Sequence, residues 1–233
     1  MDDMTVKIYA DGADIDVMHR MARNPVVRGF TTNPSLLRKA GVKNYRAFAE
    51  RALAAFPEYP ISFEVFADDF TEMEAQAREI ASWGDNVFVK IPVCNTKGTS
   101  SAPLIGRLAR SGIKVNVTAI LCANQVDTVL DALGDAPAIV SIFAGRIADT
   151  GRNPVGIVNR ALKLKRLTIH EVLWASPRQV LDVYTADGLG CDIITCTPEL
   201  IDKLPLEGKN LEEYSRETVR QFYDDAAASR YTL

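Results

Sequence analysis

Short apolar runs and amphipathic stretches alternate along this chain from end to end. Eight runs predict strands over Lys7 to Asp11, Gly29 to Asn33, Ile61 to Ala67, Val87 to Pro92, Lys114 to Ile120, Ala138 to Ala144, Glu171 to Ser176 and Asp192 to Thr197. Between them, spacings of three and four build one apolar face per segment, as in Tyr45, Phe48, Ala49, Ala52, Leu53 and Phe56, or in Leu104, Ile105 and Leu108. Thr71-Glu72-Met73-Glu74 reads as a capping box, and Asn153-Pro154, Ser176-Pro177 and Thr197-Pro198 each place a cap residue before a first-turn proline. Eight strand-then-helix units in 233 residues predict an α/β chain folded as a single (β/α)8 TIM barrel, with an open doubly wound sheet as the competing arrangement. A last helix from Asn210 to about Ser229, with Leu211, Tyr214, Thr218 and Phe222 on one side, exceeds what the barrel needs.

In a closed barrel, strand side chains alternate between lumen and helix layer. One run, Val87-Phe88-Val89-Lys90-Ile91-Pro92, carries a lysine among apolar neighbours. Turning Val87, Val89 and Ile91 toward the helices puts Lys90 inside, and the same reading turns in Tyr9 and Asp11, Thr31 and Asn33, Ser62 and Glu64, Asn116 and Thr118, Ser141 and Phe143, and Trp174 and Ser176. A purely structural barrel would fill these layers with Val, Ile and Leu. Here most are polar and sit near strand C-termini, the end at which barrels carry ligand sites, so a small polar ligand is expected. A plain buried pair of Lys90 with Glu64 or Asp11 also satisfies the charge, Asn33 and Ser176 also suit turns and caps, and Arg146 after the sixth strand also suits solvent.

Composition narrows the chemistry. With 47% hydrophobic and 24% charged residues the chain has the makings of a globular core, while a net charge of -3 without a long basic run argues against nucleic acid or an anionic membrane as partner. The acidic start and the lack of a long apolar run lead us to expect a cytoplasmic protein. Cys94, Cys122, Cys191 and Cys196 form no CxxC pair, and His19 and His170 are the only histidines, so neither a metal site nor a Ser-His-Asp triad is suggested. Lysine, carboxylates and hydroxyls remain. A neutral lysine adds to a ketone to give a Schiff base whose iminium withdraws electrons from the neighbouring carbon. One carboxylate then takes the proton from the departing hydroxyl-bearing carbon's oxygen, and another, with Thr118 and a water, shuttles protons. Arg146 and a helix start at Ser176-Pro177 suit a phosphate. The residues fit a class I aldolase-type reaction.

Tyr9-Ala10-Asp11, Thr31-Thr32-Asn33-Pro34-Ser35, Val89-Lys90-Ile91-Pro92, Asn116-Val117-Thr118-Ala119 and Ser141-Ile142-Phe143-Ala144-Gly145-Arg146-Ile147 together resemble the transaldolase family, close to its short branch that includes fructose-6-phosphate aldolase. The resemblance implies a class I aldolase-type barrel with no metal or organic cofactor. Lys90 matches its Schiff-base lysine, Asp11 its acid/base, and Glu64 with Thr118 the pair holding a catalytic water. Asn33 and Ser141 match positions that bind the dihydroxyacetone portion, with Thr31 and Phe143 beside them, and Arg146 and Ser176 positions that bind phosphate. Glu64 and Phe143 resemble the transaldolases, whereas the aldolases tend to carry glutamine and tyrosine. The expected activity is transfer of a dihydroxyacetone unit between sugar phosphates; the alternatives are aldol cleavage with free dihydroxyacetone and a non-catalytic sugar-phosphate-binding barrel. The family resemblance also implies a homo-oligomer of five or ten subunits. The seventh loop departs from the pattern, because Ala175-Ser176 passes directly to Pro177-Arg178-Gln179, about three residues short, leaving Arg178 as the candidate second basic residue and Trp174 as a residue expected to narrow the pocket.

Overall fold

The computed structural model describes residues 4–165 and 169–230. It divides into two compact units, Met1–Ile201 and Asp202–Leu233. The first contains, in order, β1 (Lys7–Asp11), α1 (Ile15–Ala22), β2 (Val27–Thr31), α2 (Pro34–Lys39), α3 (Tyr45–Ala55), β3 (Ile61–Glu64), α4 (Phe70–Ala81), β4 (Val87–Pro92), α5 (Ala102–Arg110), β5 (Val115–Ile120), α6 (Ala123–Leu133), β6 (Ala138–Ile142), α7 (Ala144–Asp149), α8 (Val155–Leu164), β7 (His170–Trp174), α9 (Val180–Leu189), β8 (Ile193–Cys196) and α10 (Pro198–Ile201). The second holds α11 (Leu211–Ser229).

The eight strands run parallel and close in sequence order. Closure is decided by β8, which pairs back onto β1 from Lys7 with Ile193 to Ala10 with Cys196. Parallel strands need both faces covered, and the outward residues Val89, Ile91, Val117, Val140 and Val172 are fully buried. The helices answer with matching stripes; Leu104, Ile105 and Leu108 of α5 are all at most 2% exposed. Full burial of each such side chain contributes about 1.5–3 kcal/mol.

The inner face is built in layers. Low in the barrel, Tyr9, Ile139, Leu173 and Ile193 pack together with Phe88 against them. Gly29 on β2 makes this possible, since a Cβ there would lie 2.7 Å from the Tyr9 ring. Above this floor the filling turns polar, and register sets Glu64 beside Lys90, Lys90 beside Asn116, and Asp11 beside Thr31.

Several local expectations change. On β7, Leu173 joins the inner cluster and lies opposite Ser141, so Trp174 faces outward and does not narrow the pocket. Ser176 has a φ of 59°, a left-handed conformation that breaks strand alternation and prevents it from capping a helix. The helix after β7 starts only at Val180, where the Asp182 carboxylate accepts from the Arg178 and Gln179 N–H groups, so no helix N-terminus stands at Ser176-Pro177. The cap of α4 is Asp69, which accepts from the Thr71 and Glu72 N–H groups, while Glu74 instead pairs with Arg78 and Arg107. β2 ends at Thr31 because Asn33 has become the N-cap of α2. Among the described residues no helix is long and apolar enough to cross a membrane.

In the second unit α11 is capped by Asn210, whose side chain accepts from the Glu212 and Glu213 N–H groups. Lys209 pairs with Glu217, and its ammonium lies 4.7 Å from the centre of the Tyr214 ring. None of the helix is buried, and Leu211, Val219, Phe222 and Tyr223 are 64–79% exposed.

Candidate active site

Strand C-termini surround a cavity of about 510 Å³ at one end of the barrel, lined by Asp11, Thr31, Asn33, Glu64, Lys90, Thr118, Ser141, Phe143, Arg146 and Ser176. All ten residues singled out by sequence therefore share one cavity, although they come from seven strands and the segments that follow them. Lys90 sits at its base, only 7% exposed. Its Nζ donates to the Thr32 carbonyl oxygen at 2.8 Å and is 3.0 Å from Glu64 Oε2. These two acceptors take two of the three ammonium N–H groups, and the Glu64 carboxylate is also placed to take a proton from it.

Glu64 is held in turn by Tyr45 of α3, whose hydroxyl accepts from the Glu64 N–H at 2.8 Å and donates to the Glu64 carbonyl oxygen at 3.1 Å. The Tyr45 ring packs edge-on against Phe63 and Trp83, so the apolar side of β3 fixes the charged end of the strand. Asp11 keeps some exposure to the cavity, yet its carboxyl is enclosed by protein. Burial raises its pKa, the Lys90 charge and a hydrogen bond from Thr31 pull it down, and Glu64 adds to the rise. Thr31 Oγ1 donates to Asp11 Oδ1 at 2.9 Å and also meets Thr195 Oγ1 within hydrogen-bond range.

On the facing wall Ser141 Oγ donates to Asn116 Oδ1 at 2.6 Å, and Asn116 Nδ2 donates to Ser62 Oγ at 3.1 Å. This chain ties β6, β5 and β3 together beneath Lys90. Thr118 Oγ1 is buried without a hydrogen-bond partner among the described residues, so it is available to a ligand or water. It precedes Ala119, whose φ of 63° accompanies a register shift in the β5–β6 pairing. A non-glycine residue in this conformation costs about 1–3 kcal/mol, and its place beside the cavity marks a strained site edge. Asn33 Oδ1 caps α2 through the Leu36 N–H at 3.0 Å, which leaves its amide nitrogen as the donor it offers.

At the rim, the Arg146 guanidinium lies 5.2 Å from the centre of the Phe143 ring. Arg178, also on the lining, pairs with Asp149 at the end of α7, its Nε 3.1 Å from Asp149 Oδ1. That pairing, followed by the charge of Arg146, holds the Asp149 carboxyl below its ordinary range. The loop bearing Ser176 rests directly on α7, where a Cβ at Gly145 would fall 1.5 Å from the Ser176 carbonyl oxygen. Only glycine allows that approach. Among the described residues no group of three or more His, Cys, Asp or Glu is placed to hold a metal. Cys191 and Cys196 are buried, and desolvation pushes the Cys191 thiol up to about 12, with Asp192 adding to it, so it is a packing residue.

Residues 8–233 match the family model described as Transaldolase/Fructose-6-phosphate aldolase. The chain belongs to this family. It is similar to a "Probable transaldolase" of Dehalococcoides mccartyi, 35% identical over 82% of this chain and 86% of the relative, and to another of Heliobacterium modesticaldum, 33% identical over 91% and 97%. A crystal structure of 3-hexulose-6-phosphate synthase shares the barrel, with a TM-score of 0.60 at 13% identity over 86% of this chain and 98% of that one. That similarity concerns the fold alone.

In this transaldolase/fructose-6-phosphate aldolase family member, the cavity also holds groups that strand parity does not reveal. The sequence assigns Thr195 on β8 no face, because Asp192 to Thr197 mixes polar and apolar residues on both parities. Its opposition to Tyr9 in the β1–β8 pairing settles that it points inward. Asn116 is expected inside, but nothing in the sequence marks it as the bridge between Ser141 and Ser62, and Tyr45 carries no sequence signal for its grip on Glu64.

Proposed function

We propose that the chain is a transaldolase that moves a dihydroxyacetone unit from a ketose phosphate to an aldose phosphate through a Schiff base on Lys90. The observation that carries this reading is a buried amine 3.0 Å from Glu64 at the base of a polar cavity that also contains the Asp11 carboxyl and the unpartnered Thr118 hydroxyl. Glu64 accepts a proton from Lys90, and the free amine adds to the ketose carbonyl carbon. The carbinolamine oxygen then leaves as water, protonated through a water molecule held by Glu64 and Thr118. In the iminium, Asp11 accepts the proton of the hydroxyl on the carbon that departs. The carbon–carbon bond breaks, its electrons form an enamine, and an aldehyde leaves. An incoming aldehyde is attacked by the enamine while its oxygen takes the proton back from Asp11, and water hydrolyses the new iminium to restore Lys90. Burial raises the Asp11 pKa from its ordinary value, the direction that favours a group exchanging a proton with substrate.

The Asn33 amide and Ser141 hydroxyl, with Thr31 beside them, suit the hydroxyls of the dihydroxyacetone portion, while Arg146, Ser176 and Arg178 suit the phosphate. Phe143 supports transfer over simple cleavage, since its ring brings neither a hydroxyl nor an attached water to the enamine. Incubation with fructose 6-phosphate is expected to give glyceraldehyde 3-phosphate only when erythrose 4-phosphate is present. Equal rates without acceptor would establish the aldolase alternative instead. Borohydride added with fructose 6-phosphate is expected to leave the Lys90 peptide heavier by the reduced dihydroxyacetone or sugar adduct. An unmodified Lys90 peptide leaves only a sugar-phosphate-binding barrel.

A further inference from the structure

We propose that Thr195 is a positioning residue which, acting through Thr31, fixes the oxygen of Asp11 that exchanges the substrate's proton. This rests on the reading of Asp11 as the acid/base; the relay itself stands on contacts and register. Thr31 Oγ1 touches two oxygens, Asp11 Oδ1 at 2.9 Å and Thr195 Oγ1. A hydroxyl has one proton and two lone pairs, whereas an ionised carboxylate only accepts. The Thr31 proton therefore goes to Asp11, and the remaining contact is satisfied when Thr195 donates to Thr31. The two threonines form a one-way relay from β8 through β2 to β1. At 2% and 8% exposure, Thr31 and Thr195 have little water to replace these partners, and hydrogen bonds in such a chain strengthen one another.

Register explains why Thr195 works indirectly. It lies opposite Tyr9, one inward position below Asp11, whereas Thr31 lies opposite Asp11 itself. With Oδ1 already engaged by Thr31, the carboxyl cannot turn over freely, and Oδ2 is the oxygen left to take the proton from the substrate. The other groups acting on Asp11 are Lys90 on β4, Glu64 on β3 and the buried Cys196 thiol on β8, which Asp11 itself helps to keep protonated. Replacing Thr195 alters none of them.

The test compares the unsubstituted enzyme with Thr195→Val and Thr195→Ser. Thr195→Val is expected to lower kcat by about two- to tenfold, the scale of one hydrogen bond between neutral hydroxyls. It is also expected to move the acidic limb of kcat/KM to higher pH, because the bond from Thr31 that holds the Asp11 pKa down is weakened. Borohydride trapping of Lys90 stays at the unsubstituted level, and Thr195→Ser restores both rate and limb. A carboxyl-13C titration of Asp11 reads the same shift whether or not the enzyme turns over, so the relay and the proposed activity stand or fall separately. An unchanged Asp11 titration in Thr195→Val overturns the relay, as does a loss of rate that Thr195→Ser fails to repair.

Discussion

Asp11 illustrates what enclosing a carboxyl does to stability. Burial raises its folded pKa above the unfolded value, so the native state binds its proton more tightly. Stability from this group is therefore greatest at low pH and declines as pH rises from the unfolded carboxylate range through the raised folded value. The full cost is present only once the pH exceeds the folded value. Asp11→Asn keeps an oxygen for the Thr31 donor and removes the buried charge, so calorimetry over a pH series is expected to show a Tm advantage for the variant that grows as pH rises, by about 2–4 °C for each kcal/mol relieved, alongside a loss of about 10²–10⁴ in kcat. A lower Tm would mean that the carboxylate is net stabilising. Asp11, Glu64 and Lys90 were legible in sequence because strand parity singles out a charge flanked by apolar neighbours. Thr195 was not, since a threonine in a strand is equally ordinary on either face and only the pairing with Tyr9 assigns one.

At the scale of elements, the strand-and-helix alternation was legible throughout, and the exceptions are physical. On β7 both parities carry apolar residues, and the left-handed turn at Ser176 lets Ser176 reach the cavity although Trp174 points away. Helix starts inferred from Ser-Pro and Thr-x-x-Glu patterns failed where a nearby aspartate, Asp182 or Asp69, captured the free N–H groups first. The loop after β7 ties Arg178 to Asp149, which neutralises a cation at the rim of the cavity. Asp149→Asn is accordingly expected to lower KM for fructose 6-phosphate by about two- to fivefold, and Arg178→Gln to raise it by a similar factor, as befits an exposed ion pair. Unphosphorylated dihydroxyacetone should respond to neither change. Steady-state kinetics on both substrates checks this, and equal effects on the two would remove Arg178 from phosphate recognition.

For the whole molecule, eight units were countable in the sequence, and closure followed because a sheet wound back on itself leaves no edge strand unpaired. What covers α11 was not legible in the same way. We expect self-association, in keeping with the exposed Leu211, Val219, Phe222 and Tyr223. Native mass spectrometry is expected to give five or ten times the 25.6 kDa chain, with Phe222→Glu shifting the distribution to smaller species; a monomer at micromolar concentration would refute this. The packed layer around Tyr9 and Gly29 has a further consequence. Among the described residues it floors the cavity, leaving the strand C-terminal end as the side that opens outward. On the proposed transaldolase reading, the first aldehyde vacates that end before the acceptor comes in, and a slow-departing product becomes an obstruction to its own successor.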